Sequence, residues 1–184
     1  MTKRLEKGLV HIYTGNGKGK TTAAFGLGMR AVGGGLGVIC FQFLKGKDQS
    51  YGELKAVSKL GPKFNVVTLG TTHPYFLPPA ERRKARYELK KSTRLAMGTI
   101  KKVMASQRYD LIILDELVTA MRDGFIDLES VLDLIDSKPK STELVLTGRG
   151  APKALKKHAD YVTEMRNIKH PYGKGMKARR GIEF

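Results

Sequence analysis

The run Leu9-Val10-His11-Ile12-Tyr13-Thr14-Gly15-Asn16-Gly17-Lys18-Gly19-Lys20-Thr21-Thr22 narrows the possible folds more than any other stretch of the chain. An apolar segment of strand length runs into a glycine-rich turn, and Lys-Thr then opens a helical pattern. Each part suits the gripping of a polyphosphate. Glycines let successive backbone N–H groups converge on an anion, and the helix N-terminus adds partial positive charge. Lys20 supplies a mobile cation, and the Thr21 hydroxyl is a hard donor for Mg²⁺. Gly15, Asn16, Gly17, Lys18, Gly19, Lys20, Thr21 and Thr22 are therefore the candidate nucleotide-binding residues. Against the pattern Gly-x-x-x-x-Gly-Lys-[Ser/Thr], Gly19-Lys20-Thr21 fits, but Thr14 stands where the first glycine belongs. The loop starts at Gly15 and is one residue short. The alternative reading is a glycine-rich strand-to-helix turn that holds no ligand.

Further apolar runs of strand length follow at Val38–Phe43, Phe64–Leu69, Leu111–Asp115, Leu144–Thr147 and, more weakly, Tyr161–Met165. The first five runs, Leu9–Thr14 included, are continuous rather than alternating, which predicts strands covered by helices on both faces of a parallel sheet. Helical patterns are predicted at 20–33, 51–60, 80–107, 117–122, 127–137 and 152–159, so the chain alternates strand and helix and reads as α/β. In the long pattern Ala85, Leu89, Ala96, Ile100, Val103 and Met104 share one face, with Arg82, Arg86, Lys90, Arg94, Lys101 and Lys102 largely elsewhere. Pro78-Pro79 suits a helix start, and Gly33-Gly34-Gly35 a helix stop. The stretch 167–184 mixes proline, glycine and basic residues and reads as an ordered loop region.

At 184 residues the chain is expected to form a single domain over 1–184. No apolar run approaches the roughly 20 residues that a bilayer requires, and no secretory segment is visible, so no membrane role is expected. One cysteine, Cys40, excludes an intrachain disulfide and a Cys-rich zinc site and points to a cytoplasmic protein. Cys40 reads as a small buried hydrophobe. The formal charge of +17 is uneven: residues 81–108 hold ten basic and two acidic side chains, 109–148 three and nine. Such a balance admits nucleic acid, an anionic surface or a multiply phosphorylated small molecule as partner. A solvated basic helix face is the alternative. Because the 81–108 segment interleaves only Tyr87 among its basic residues, a nucleic-acid partner is not expected.

A nucleotide site needs an acid at the end of a second buried strand, and Tyr109-Asp110-Leu111-Ile112-Ile113-Leu114-Asp115-Glu116 offers Asp115 and Glu116. With Thr21 they form the candidate Mg²⁺ set, although an Asp-Glu pair after a strand also serves as a helix N-cap. Arg149, between Gly148 and Gly150 after the fifth strand, is a candidate to bind a phosphate or a carboxamide of a ligand, with capping of the strand end and pairing with an acid as the alternative. His11, His158 and His170 share no metal-ligand spacing.

These residues resemble the bacterial P-loop ATP:corrinoid adenosyltransferases, which act on cob(I)alamin or cob(I)yrinic acid a,c-diamide. The resemblance covers most of the chain. It is carried by Thr14 through Gly26, whose Asn16-Gly17-Lys18-Gly19-Lys20-Thr21 core is narrower than the general loop pattern. It continues through Gln42-Phe43-Leu44-Lys45-Gly46, Leu114-Asp115-Glu116-Leu117, Leu146-Thr147-Gly148-Arg149-Gly150 and a tail from Ala159-Asp160 to Gly181-Ile182. The short loop is then a family trait. The resemblance implies a P-loop NTPase-like, RecA-like three-layer sandwich with a mostly parallel sheet of about six strands. It implies that Co(I) of a reduced corrinoid attacks the ribose C5′ of ATP and that triphosphate leaves, with Lys20, Thr21 and Glu116 as catalytic residues and Mg²⁺ as helper. It further implies an electron-donating flavoprotein or reductase and a homodimer. The chain departs from the family at Gly70-Thr71-Thr72-His73-Pro74-Tyr75-Phe76, where members carry Gly-Phe-Thr-Trp. Tyr75 or Phe76 is the candidate replacement for those aromatics, and His73 is weighed as a cobalt ligand against a solvated loop histidine. The alternative function is a RecA-like ATPase or kinase, with nucleic-acid binding as one form of it.

Overall fold

The computed structural model describes residues 4–46, 52–69 and 73–182. Six strands form one parallel sheet: β1 (Val10–Thr14), β2 (Val38–Gln42), β3 (Phe64–Thr68), β4 (Leu111–Asp115), β5 (Glu143–Thr147) and β6 (Tyr161–Glu164). Between them run α1 (Lys20–Gly33), α2 (Gly52–Lys59), α3 (Pro79–Ala105), α4 (Leu117–Arg122), α5 (Leu128–Asp136) and α6 (Lys153–Lys156). The order across the sheet is β3-β2-β4-β5-β1-β6, so β5 separates β1 from the acid-bearing β4.

Alternate residues of each strand feed two cores. Val38, Cys40, Leu111, Ile113 and Val145 pack with Ala24, Phe25, Val57 and Phe64 on the face covered by α1 and α2. Ile39, Phe41, Ile112, Leu114, Leu144 and Leu146 pack with Leu89, Ile100, Met104, Leu117 and Leu134 on the opposite face. The predicted three layers are present, with every strand pairing parallel. β2 and β4 are buried throughout, as continuous apolar runs require. β1 and β3 differ from that expectation: β1 alternates buried and half-buried residues, and β3, at the sheet edge, buries fully only Phe64. β6 at the other edge is exposed along its length, which accounts for its weak apolar pattern.

Local rules explain the helices that frame the ligand end. α3 begins with Pro79 in its first turn, followed by Glu81 near the positive end of the dipole. Leu89, Ala96, Ile100 and Met104 are buried as the periodicity predicts, while the six basic residues named for the other face are exposed. α1 stops at Gly33, with Gly35 at φ +86°. The last helical pattern, predicted over 152–159, yields only Lys153–Lys156. A short 3₁₀ turn, Pro74–Phe76, precedes α3 and was not predicted. Because all strands run the same way, Thr14, Gln42, Asp115 and Thr147 arrive together at the carboxyl end of the sheet, where ligands of open α/β folds bind.

Candidate functional site

The glycine-rich loop spans the gap between Thr14 and Lys20, and its shape depends on glycine at two kinds of position. Gly15 and Gly19 have φ of +99° and +110°, where side chains are strained. Gly17 is needed for space, because a Cβ there would lie 2.7 Å from the carbonyl oxygen of Met165. The Gly17 N–H donates to that same carbonyl at 2.7 Å, and the Met165 N–H donates to Thr14 O at 2.8 Å. The segment leaving β6 therefore clamps the loop from behind. Lys20 is buried, and its ammonium donates to Gly15 O at 2.9 Å and Gly17 O at 2.6 Å, bridging the loop it belongs to. Burial, with repulsion from Arg149, pulls the Lys20 pKa below its ordinary value against the opposing pull of Glu116 and Asp115.

Asp115 lies fully buried at the end of β4. Its Oδ1 accepts from Thr21 Oγ1 at 2.9 Å and Thr147 Oγ1 at 2.7 Å, and its Oδ2 accepts from Gln42 Nε2 at 3.5 Å. Lys45 Nζ forms an ion pair with the same Oδ2 at 3.1 Å. Glu116 follows in a left-handed conformation, φ +64°, at the N-cap position of α4, and its side chain makes no capping hydrogen bond. The N-cap alternative for the pair thus gains no support, since Asp115 instead joins α1 to β5 through two hydroxyls. Gly148 at φ +141° lies so close to Thr119 N that a Cβ would approach to 2.5 Å, and Arg149 N–H donates to Thr119 Oγ1 at 2.9 Å. The Gly-Arg-Gly turn is thereby fastened to α4 with the Arg149 side chain exposed.

These parts surround one cleft of about 460 Å³, lined by the loop from Asn16 to Thr22 together with Lys45, Glu53, Glu116, Arg149 and the tail residues His170, Gly181 and Ile182. Of the predicted site residues, Asn16, Gly17, Lys18, Gly19, Lys20, Thr21, Thr22, Glu116 and Arg149 line it, Gly15 shapes the loop, and Asp115 sits beneath Thr21. Lys45, Glu53, Gln42, Thr147 and the tail also reach the site without being among the residues predicted for it, although four of these lie in the motifs that carry the resemblance. The oxygen pair of Thr21 and Asp115, with Glu116 on the cleft wall, is a donor set suited to a hard cation that takes its other ligands from phosphate and water. Among the described residues no group of three His, Cys, Asp or Glu could hold a metal alone.

The sequence matches the family described as ATP:corrinoid adenosyltransferase BtuR/CobO/CobP over residues 6–184. The chain belongs to that family. A corrinoid adenosyltransferase from Sinorhizobium sp. is 37% identical, covering all of this chain and 83% of the relative. Those of Escherichia coli K12 and Salmonella typhimurium are 34% and 35% identical, each alignment covering 97% of this chain and 87% of the relative. The structure of flagellar accessory protein FlaH from Methanocaldococcus jannaschii superposes with a TM-score of 0.56 at 12% identity, covering 87% of this chain and 72% of that one, and shows the fold alone. Membership favours an adenosyltransferase over the RecA-like ATPase or kinase.

Cys40 is fully buried, and burial pushes its thiol pKa well up, as for an inert hydrophobe. His73 Nδ1 accepts from the Tyr75 N–H at 3.1 Å, which puts its proton on Nε2, 3.1 Å from Asp123 Oδ2. Both nitrogens of His73 are engaged, so it is neither simply solvated nor open to a cobalt. Gly70, Thr71 and Thr72 lie outside the described residues. No helix among the described residues is long and apolar enough to cross a membrane.

Proposed function

We propose that this chain, acting as one domain, transfers the 5′-deoxyadenosyl group of ATP to the Co(I) centre of a reduced corrinoid. The Co(I) electron pair forms a bond to C5′, the C5′–O bond breaks, and its electrons leave on triphosphate. Supporting this reading is the convergence of Lys18, Lys20, Lys45 and Arg149 on a cleft whose floor is the glycine loop. Such a site fits a whole departing triphosphate, and fixed cations aimed at developing charge are a large source of rate enhancement. Lys20 would leave the Gly15 and Gly17 carbonyls for the phosphates, and the loop N–H groups would hold them. Thr21, Asp115 and Glu116 would hold Mg²⁺, which when bound screens the charge of the leaving group.

On the acceptor side, Tyr75 and Phe76 stand 71% and 76% exposed at the carboxyl end of the sheet. They are our candidates for the aromatic contact with the corrinoid, in place of the Phe and Trp that members carry where this chain has Thr71 and His73. An electron-donating flavoprotein or reductase would supply Co(I), and we infer a homodimer working in the cytoplasm. Purified protein with ATP, Mg²⁺ and chemically reduced cobalamin should give the visible spectrum of adenosylcobalamin and one triphosphate per turnover. Release of ADP or orthophosphate in its place would overturn the reading.

A further inference from the structure

The Lys45–Asp115 ion pair closes the one part of the cleft where a cation is expected. β2 ends at Gln42, and Leu44 adopts φ +57°, a left-handed turn that a leucine rarely takes. Strain of that kind is held in place by the surrounding structure and concentrates at functional sites. Its outcome here is that Lys45, with its side chain only 12% exposed, reaches Asp115 Oδ2 at 3.1 Å. Two threonine hydroxyls already occupy Oδ1, and Gln42 Nε2 shares Oδ2. A divalent ion approaching the carboxylate therefore meets an ammonium first. Breaking a buried ion pair is unfavourable unless both charges find new partners. Asp115 would find one in the metal, and a polyphosphate in the cleft that Lys45 lines would offer its ammonium another.

We propose that Lys45 is a resident counter-ion that keeps a free divalent cation off Asp115 and moves only when nucleotide brings the cation together with a polyphosphate. Metal and nucleotide then enter as one unit, and Lys45 passes from carboxylate to phosphate. This inference rests on the reading that nucleotide and Mg²⁺ bind in the cleft.

The test uses Mn²⁺ as a paramagnetic probe, titrated into full-length protein with and without ATP. Wild type and Lys45→Arg, which keeps the charge, should bind Mn²⁺ weakly without ATP. Lys45→Gln should bind it at least tenfold more tightly, and adding Asp115→Asn to Lys45→Gln should cancel the gain. Equal nucleotide-free affinity in wild type and Lys45→Gln overturns the proposal. If wild type captures no Mn²⁺ even with ATP, the underlying reading fails with it, and the two failures are told apart by the ATP arm. A second measurement needs no variant. The lysine ammonium resonance of Lys45 should shift when ATP and Mg²⁺ are added together and stay in place with the same Mg²⁺ alone; a shift with Mg²⁺ alone overturns the proposal.

Discussion

Thr147 shows how much a single hydroxyl carries in this site. It donates to Asp115 Oδ1 at 2.7 Å while accepting the Glu116 N–H at 2.9 Å, so it fixes both residues of the acidic pair from a neighbouring strand. Replacing it with valine keeps the shape, removes both bonds and leaves buried polar groups short of partners. Thr147→Val should lower stability by about 1–3 kcal/mol in urea denaturation. Lys20 is the complementary case. Lys20→Ala removes the cation that we place in the phosphate path, and we expect kcat/KM for ATP to fall by roughly a hundredfold or more, as losses of a preorganised charge do, while urea denaturation should show about 1–3 kcal/mol lost with the two hydrogen bonds to the Gly15 and Gly17 carbonyls. Lys20 was legible in the sequence because the carbonyls it meets, those of Gly15 and Gly17, are its neighbours in the chain. Gln42, Lys45 and Thr147 were not, because Gln42 and Thr147 reach Asp115 from 73 and 32 positions away, a closeness made by sheet pairing alone.

Between elements, the loop depends on β6 and the segment after it. Gly17→Ala would put a methyl group 2.7 Å from the Met165 carbonyl oxygen, so the loop must leave its clamp. Overpacking of this sort costs about 1–3 kcal/mol, and nucleotide binding measured by calorimetry should weaken with it. On the far side of the sheet, Glu143 accepts from the Leu9 N–H and pairs with the His11 ring, joining β5 to β1. Burial alone would raise the Glu143 pKa, but the hydrogen bonds from His11 and Leu9 and the charges of His11 and Lys138 bring it below 4.5. A carboxyl held low in the fold binds its proton less tightly there than in the unfolded chain. Its contribution is complete above pH 4.5 and is lost as pH falls through the lower native value. Glu143→Gln should accordingly be about 1–2 kcal/mol less stable than wild type at pH 7, with the gap closing in acid, as read by urea midpoints across pH. Strands and the long α3 face were legible because periodicity records burial on each side. The edge positions of β3 and β6 were not, since strand order is written in no single strand; the clamp of Met165 on Gly17 is invisible for the same reason.

Across the whole molecule, the fold puts its basic residues into two different settings. The basic residues of α3 lie on an exposed flank, whereas the cations of the cleft meet the carboxylates at the carboxyl end of the sheet. If the cleft binds the triphosphate part of ATP, inorganic tripolyphosphate with Mg²⁺ should stabilise the protein without any adenosine. At a hundred times its dissociation constant a ligand adds about 2.7 kcal/mol, which for a chain of this size raises the melting temperature by about 5–10 °C. Calorimetric scans check this, and an unmoved transition would mean that the purine and sugar carry the affinity. One feature of the loop bears on how quickly such anions are accepted. Spanned by its own lysine and backed by the Met165 carbonyl, it has its curvature set by contacts within the chain. Its disorder is surrendered once, during folding, and not again at each turnover. Nucleotide capture should then proceed at the pace of encounter, with a small change in heat capacity and no slow rearrangement phase.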